Sequence, residues 1–197
     1  MASNEGADHP SSLVGIQQVE DDVEDRLLNV VSEWWEEYGS INTLKILLHQ
    51  FIPKVGKAEL EKATNVRSLF KILKGIGALN RPDYEIVFEA VQICGLEGVQ
   101  LGINKIERFK YFEFGEDFKI KGFFSLYQNL ILFGKYLDLE SIGTIGKKNN
   151  IGEDVHENDP WLLILALIKQ DIMENMARFI ELLMENGMSK AAKILGR

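Results

Sequence analysis

The sequence predicts an all-α protein, and two observations carry that expectation. Apolar residues recur three, four and seven positions apart through most of residues 27–195, the spacing that gathers them on one helix face. Between these stripes lie short stretches marked by glycine or by Ser, Thr, Asn and Asp, residues that end or cap helices. Composition permits a packed core, with 46% hydrophobic and 10% aromatic residues, far above what a disordered chain carries.

In chain order, Leu27, Val31, Trp34, Trp35 and Tyr38 form the first stripe, stopped by Gly39, and Ser40 is placed to cap the next helix. Ile41, Leu44, Leu47, Leu48 and Phe51 follow, ended by Pro53 and Gly56. A short helical piece fits Ala58–Lys62, and Thr64 or Asn65 can cap the stripe Val66, Leu69, Phe70 and Leu73. Asn80-Arg81-Pro82 should open another helix, since proline suits a first turn, with Tyr84, Val87, Phe88 and Val91 on its face and Gly95 at its end. A short helix over Glu97 to about Lys105 completes the first half.

The second half is less regular. Arg108–Ile120 is aromatic-rich and partly alternating, and fits a β-hairpin or a helix. Gly122–Gly134 reads as a helix with Phe123, Leu126, Leu130 and Phe133 on one face, and the polar stretch Gly146–Asp159 reads as a loop. Asp159-Pro160 is a cap followed by a first-turn proline, and the apolar run Trp161–Ile168 suits a helix buried on nearly all sides. Ile172, Met176, Phe179, Ile180 and Leu183 make the next stripe, and Met188–Leu195 a last short helix.

Charge and residue inventory exclude several function classes. Residues 1–25 hold seven acids and no Lys or Arg, so they carry −7 of the net −8. They read as a solvated, disordered leader, or as a segment that tunes partner choice by charge. Without clustered Lys and Arg, nucleic-acid binding is not expected. The single Cys94 permits no internal disulfide and fits a reducing, cytoplasmic setting. No apolar run is long enough to span a membrane, and residues 1–12 lack the features of a secretory signal. Catalytic groups are sparse: His9 in the leader, His156 in the polar stretch, His49 on the outer side of the second helix, and Cys94 beside Gly95, where a helix C-terminus disfavours a thiolate. No phosphate loop, metal-binding helix or acidic calcium loop is present. No catalytic, cofactor or metal site is therefore expected, and a Cys94–His49 dyad is the one pairing worth checking.

Residues 40–95 resemble a death effector domain. The likeness rests on Leu44-Lys45-Ile46-Leu47-Leu48, Ile52-Pro53, Glu59-Leu60-Glu61-Lys62, and Leu69-Phe70 running through Leu73 to Gly77. More weakly, residues 107–197 resemble a second module of that family. There Phe114–Phe118 would end a first helix, Asn129–Phe133 would form a second-helix core, and Asp159–Leu195 would follow the fourth-to-sixth-helix order. The resemblance implies two death-fold six-helix antiparallel bundles in tandem. Their expected bounds are a tail at 1–25, a first module at 26–105 and a second at 106–197, which leaves no room for a protease domain. It also implies a helical rather than a hairpin Arg108–Phe118.

The function implied is that of a non-enzymatic adaptor or regulator in apoptotic or innate immune signalling. Its partners would be a death-effector-domain adaptor or an initiator-caspase prodomain, with self-association also open. Tandem modules without an effector domain are similar to short inhibitors of initiator-caspase recruitment; a positive, assembly-nucleating adaptor is the alternative. The sequence departs from the family in its charge triad: the first module has Gly98-Val99-Gln100-Leu101 and the second Ser189-Lys190-Ala191-Ala192 where an Arg-x-Asp-Leu motif belongs. That argues against filament growth through charge-patterned faces.

Ile46 lies about 200° around its helix from Leu44, and Ile86 and Ile93 share a face opposite Tyr84 and Phe88. They form a candidate partner-binding patch, because apolar residues off the core stripe mark contact surfaces. In tandem proteins of the resembling family the first module's patch packs on the second module. Ile46 would then be interdomain core, and the free patch would lie around Leu132 and Met173. A different class, a helical carrier of a small apolar ligand lined by Trp34, Trp35 and the aromatics of 109–124, is a further alternative.

Overall fold

The computed structural model describes residues 11–79, 84–115, 118–172 and 174–196, and among them every regular element is a helix. Helix α1 spans Ser11–Tyr38. Its expected stripe is the buried face at Leu27, Val31 and Trp35, with Trp34 half-buried and Tyr38 exposed. Residues 11–25 are helical rather than a disordered leader. Acids of this segment have structural partners: Glu24 is buried and paired with Lys74, and Asp25 lies 2.9 Å from Arg67.

The other elements of the first half are α2 (Ile41–Leu48), α3 (Ile52–Val55), α4 (Lys57–Lys62), α5 (Val66–Gly75), α6 (Glu85–Cys94) and α7 (Gln100–Ile103). Short 3₁₀ turns sit at His49–Phe51, Glu97–Val99 and Glu107–Phe109. Two caps act as their residue types require: Ser40 Oγ accepts from Asn42 N at 3.2 Å, and Asn65 Oδ1 from Ser68 N at 2.8 Å. Gly95, at φ +75°, ends α6 in the left-handed conformation glycine tolerates. The expected opening at Asn80-Arg81-Pro82 lies outside the described residues.

The second half comprises α8 (Ser125–Tyr136), α9 (Leu139–Lys148), α10 (Glu153–His156), α11 (Pro160–Lys169), α12 (Met176–Glu185) and α13 (Ser189–Leu195). Asp159 caps α11 as expected, accepting from Trp161 N at 2.6 Å. Two expectations fail here. The polar stretch Gly146–Asp159 is not simply a loop, since α9 runs through Gly146 and α10 lies inside it. The described residues of 110–124 form neither hairpin nor α-helix.

The connector's backbone is satisfied by side chains instead. Glu89 is buried on α6 and accepts from Lys121 N at 2.9 Å and Gly122 N at 2.7 Å. Gln50 donates to Gly122 O at 2.6 Å and accepts from Phe124 N at 2.8 Å, and Gln100 accepts from Phe114 N at 3.1 Å. Phe112 stacks on Phe88 at 4.1 Å with Phe109 and Phe114 edge-on, whereas Tyr111 and Phe124 stay exposed. Phe114, Gly115 and Phe118 are therefore not the end of a helix, and Asn129–Phe133 lies in the first helix of the second half, α8.

Helix α2 joins the halves. It packs on α5 and α6 on one side and on α8 and α11 on the other. Both faces are needed to explain why Thr43, Leu44, Ile46, Leu47 and Leu48 are all buried within eight residues. Helix α11 is the second central element, touching α2, α8, α9 and α10. One apolar core runs from Leu27 on α1 to Leu195 on α13.

Candidate protein-interaction surface

Ile46 is completely buried, and Ile86 and Ile93 keep only 8% and 7% of their surface. They do not form an outward patch. Their helices, α2 and α6, both meet α8, so this face is covered by the second half of the same chain. Polar contacts seal the margin. Lys135 of α8 donates to Ile93 O at 3.0 Å, which places an ammonium on the C-terminal carbonyls of α6, where positive charge is favoured. Lys121 lies 3.7 Å from Glu85, and Lys169 of α11 lies 3.1 Å from Glu61 of α4.

Exposed large apolar residues remain on both halves: Tyr38 and Leu101 on the first, Tyr111 and Phe124 in the connector, and several on the second. Leu132 of α8 is 44% exposed, Tyr136 follows one helical turn later, and Leu139 opens α9 with its side chain largely in solvent. A cavity of about 450 Å³ lies between the α8–α9 turn and the α12–α13 turn, lined by Tyr136, Ser141, Met188 and Lys190. Met173, named with Leu132 from sequence, lies outside the described residues. Tyr136 and Leu139 were missed, although the i, i+4 relation of Leu132 and Tyr136 was available.

The candidate catalytic groups are separated by their surroundings. Burial pushes the Cys94 thiol up to about 12, against a hydrogen bond with Thr43 and the charge of Lys135, which favour the thiolate. Burial also lowers His49 to about 4, aided by Lys57 and opposed by Glu61. Cys94 thus faces Thr43 and Lys135, whereas His49 faces Lys57, Glu61 and Lys169. His156 is buried, and its Nδ1 accepts from Asn158 N at 3.1 Å. Among the described residues no group of three or more His, Cys, Asp or Glu is placed to hold a metal ion, and no helix is long and apolar enough to cross a membrane. Trp35 packs edge-on against Phe70, and the connector aromatics pack on Phe88 and on one another.

No protein-family profile, curated protein or solved structure matches this chain.

Proposed function

We propose that this chain is a non-enzymatic, cytoplasmic adaptor or regulator of apoptotic or innate immune signalling, built from two death-fold modules in tandem. It binds other death-fold proteins through the second module. In this reading α1–α7 form the first six-helix bundle, with α3 a short extension of α2, and α8–α13 form the second. The supporting observation is the burial of Ile46, Ile86 and Ile93 between α2, α6 and the second half. That is the fate the resemblance assigns to the first module's patch in tandem proteins. It leaves Leu132, Tyr136 and Leu139 as the working surface for a partner's apolar groove, with a polar rim around it.

The test is a pull-down against death-effector-domain adaptors and initiator-caspase prodomains, with light scattering on the same samples. Wild type is expected to bind, and Leu132→Asp to stay folded and lose binding. A wild-type protein that captures none of these partners, or a folded Leu132→Asp protein that binds as well as wild type, refutes the reading.

A further inference from the structure

A second cavity of about 320 Å³ lies between the halves, walled by α2 and α4 on one side and by α10 and α11 on the other. Its size is at the lower end of ligand pockets, which run about 300–1,000 Å³. The floor is apolar, made by Leu60 of α4 and by Leu162, Leu165 and Ala166 of α11. The rim is cationic. Lys45 of α2 donates to Glu61 O at 3.4 Å, and Lys169 of α11 lies 3.1 Å from Glu61 Oε1. Lys57 is near enough for its charge to act on both Glu61 and His49. Glu61 is the one carboxylate among the lining residues. Two ammonium groups, Lys45 and Lys169, therefore face one carboxylate among the lining residues of an apolar slot, with the charge of Lys57 close by.

We propose that this cavity binds a small amphipathic carboxylate. Its anionic head lies between Lys45 and Lys169, and its short apolar chain runs over Leu60, Leu162 and Leu165. A purely apolar ligand would leave the surplus cation facing a dry surface, and a purely polar anion would leave the floor wet. An amphiphile with one charge satisfies both. Partial burial, and then the nearby charge of Lys169, hold Lys45 below its ordinary value, and an incoming carboxylate relieves that cost. His49, held neutral near pH 7, and the Asn42 amide add hydrogen-bonding groups without adding charge. Because its walls come from both halves, an occupied cavity fastens them together and stabilises the folded chain by mass action.

The probe is octanoate below its micelle-forming concentration, titrated into the full chain by calorimetry, with octanol and acetate as controls. Saturable one-to-one binding of octanoate is expected, at least about tenfold tighter than either control, with a rising thermal midpoint. The double variant Lys45→Gln/Lys169→Gln should lose at least about tenfold in octanoate affinity, the scale of one lost charge-assisted contact. Should that variant not fold, intermolecular NOEs in wild type locate the ligand, and contacts from the octanoate chain to Leu60, Leu162 and Leu165 methyls are expected. No saturable binding, equal binding of octanol, or NOEs to other parts of the chain overturns the proposal.

Discussion

His49 is buried at the C-cap of α2, and that burial, with the charge of Lys57, lowers its pKa from an ordinary 6.5 to about 4. A base with a depressed folded-state pKa contributes stability that is present above its unfolded pKa and lost as pH falls through the folded one. The window is therefore 6.5 down to about 4, and the shift corresponds to about 3 kcal/mol. Urea midpoints of wild type and His49→Gln should converge, or cross, as pH falls through this window; parallel curves would show that His49 titrates normally in the fold. Cys94 is the complementary case, a thiol that burial raises to about 12 from an ordinary 9. At pH 8 its thiolate fraction is about 1,000-fold below that of a free thiol. Iodoacetamide should therefore modify native protein at least about 100-fold more slowly than urea-unfolded protein, and similar rates would refute a thiol held protonated in the fold. The caps at Ser40, Asn65 and Asp159 were legible in the sequence because capping needs only residues two or three positions away. His49, expected on the outer side of its helix, is buried instead, and the burial that sets the states of both His49 and Cys94 was not legible, because distant residues supply it.

At the scale of elements, two glycines should respond in opposite directions. A Cβ at Gly134 of α8 would fall 2.2 Å from Trp161 Cζ3 and 2.8 Å from Ile164 Cδ1, so α8 and α11 approach too closely there for any side chain. Gly143 in the middle of α9 has nothing within 4 Å of its Cβ position. Gly134→Ala should destabilise by about 1–3 kcal/mol through overpacking. Gly143→Ala should stabilise by about 0.5–1 kcal/mol through restricted backbone freedom and better helix propensity. Chemical denaturation of both variants checks the pair, and the same sign for both would contradict this packing. Helix α9 also shows why the second half was harder to read. Its apolar residues Leu139, Ile142 and Ile145 are diluted by Gly143 and Gly146, which lower helix propensity. Gly146 has a tertiary reason: a Cβ there would lie 2.9 Å from His156 Nε2. The connector was misread for a related cause. Its alternation of aromatics mimics a strand, yet Phe109, Phe112, Phe114 and Phe118 dock on α6 or on one another, and Glu89, Gln50 and Gln100 supply the hydrogen bonds that strand pairing would have supplied.

At the scale of the whole molecule, helix α2 decides how the chain holds together. Period and cap placed the helix, and the period also showed apolar residues on a second face. Periodicity alone does not tell whether such a face meets a partner protein or another part of the same chain. Here it meets α8 and α11, so an isolated first half would expose Ile46, Ile86 and Ile93, each worth about 1.5–3 kcal/mol on burial. The two halves are thus expected to unfold together, giving one calorimetric transition whose measured and van't Hoff enthalpies agree. The same geometry separates two substitutions of similar chemistry. Ile46→Asp places an unpaired carboxylate in a fully buried site and should cost more than about 4 kcal/mol, lowering the single midpoint for the whole chain. Leu132→Asp, at a residue 44% exposed, should shift stability by about 0.5 kcal/mol or less. If Ile46→Asp melts at the wild-type midpoint, or if it splits the transition so that one half stays folded, the halves do not share a core through α2. A Leu132→Asp protein as unstable as Ile46→Asp would place Leu132 in that core and leave the second half without its open surface.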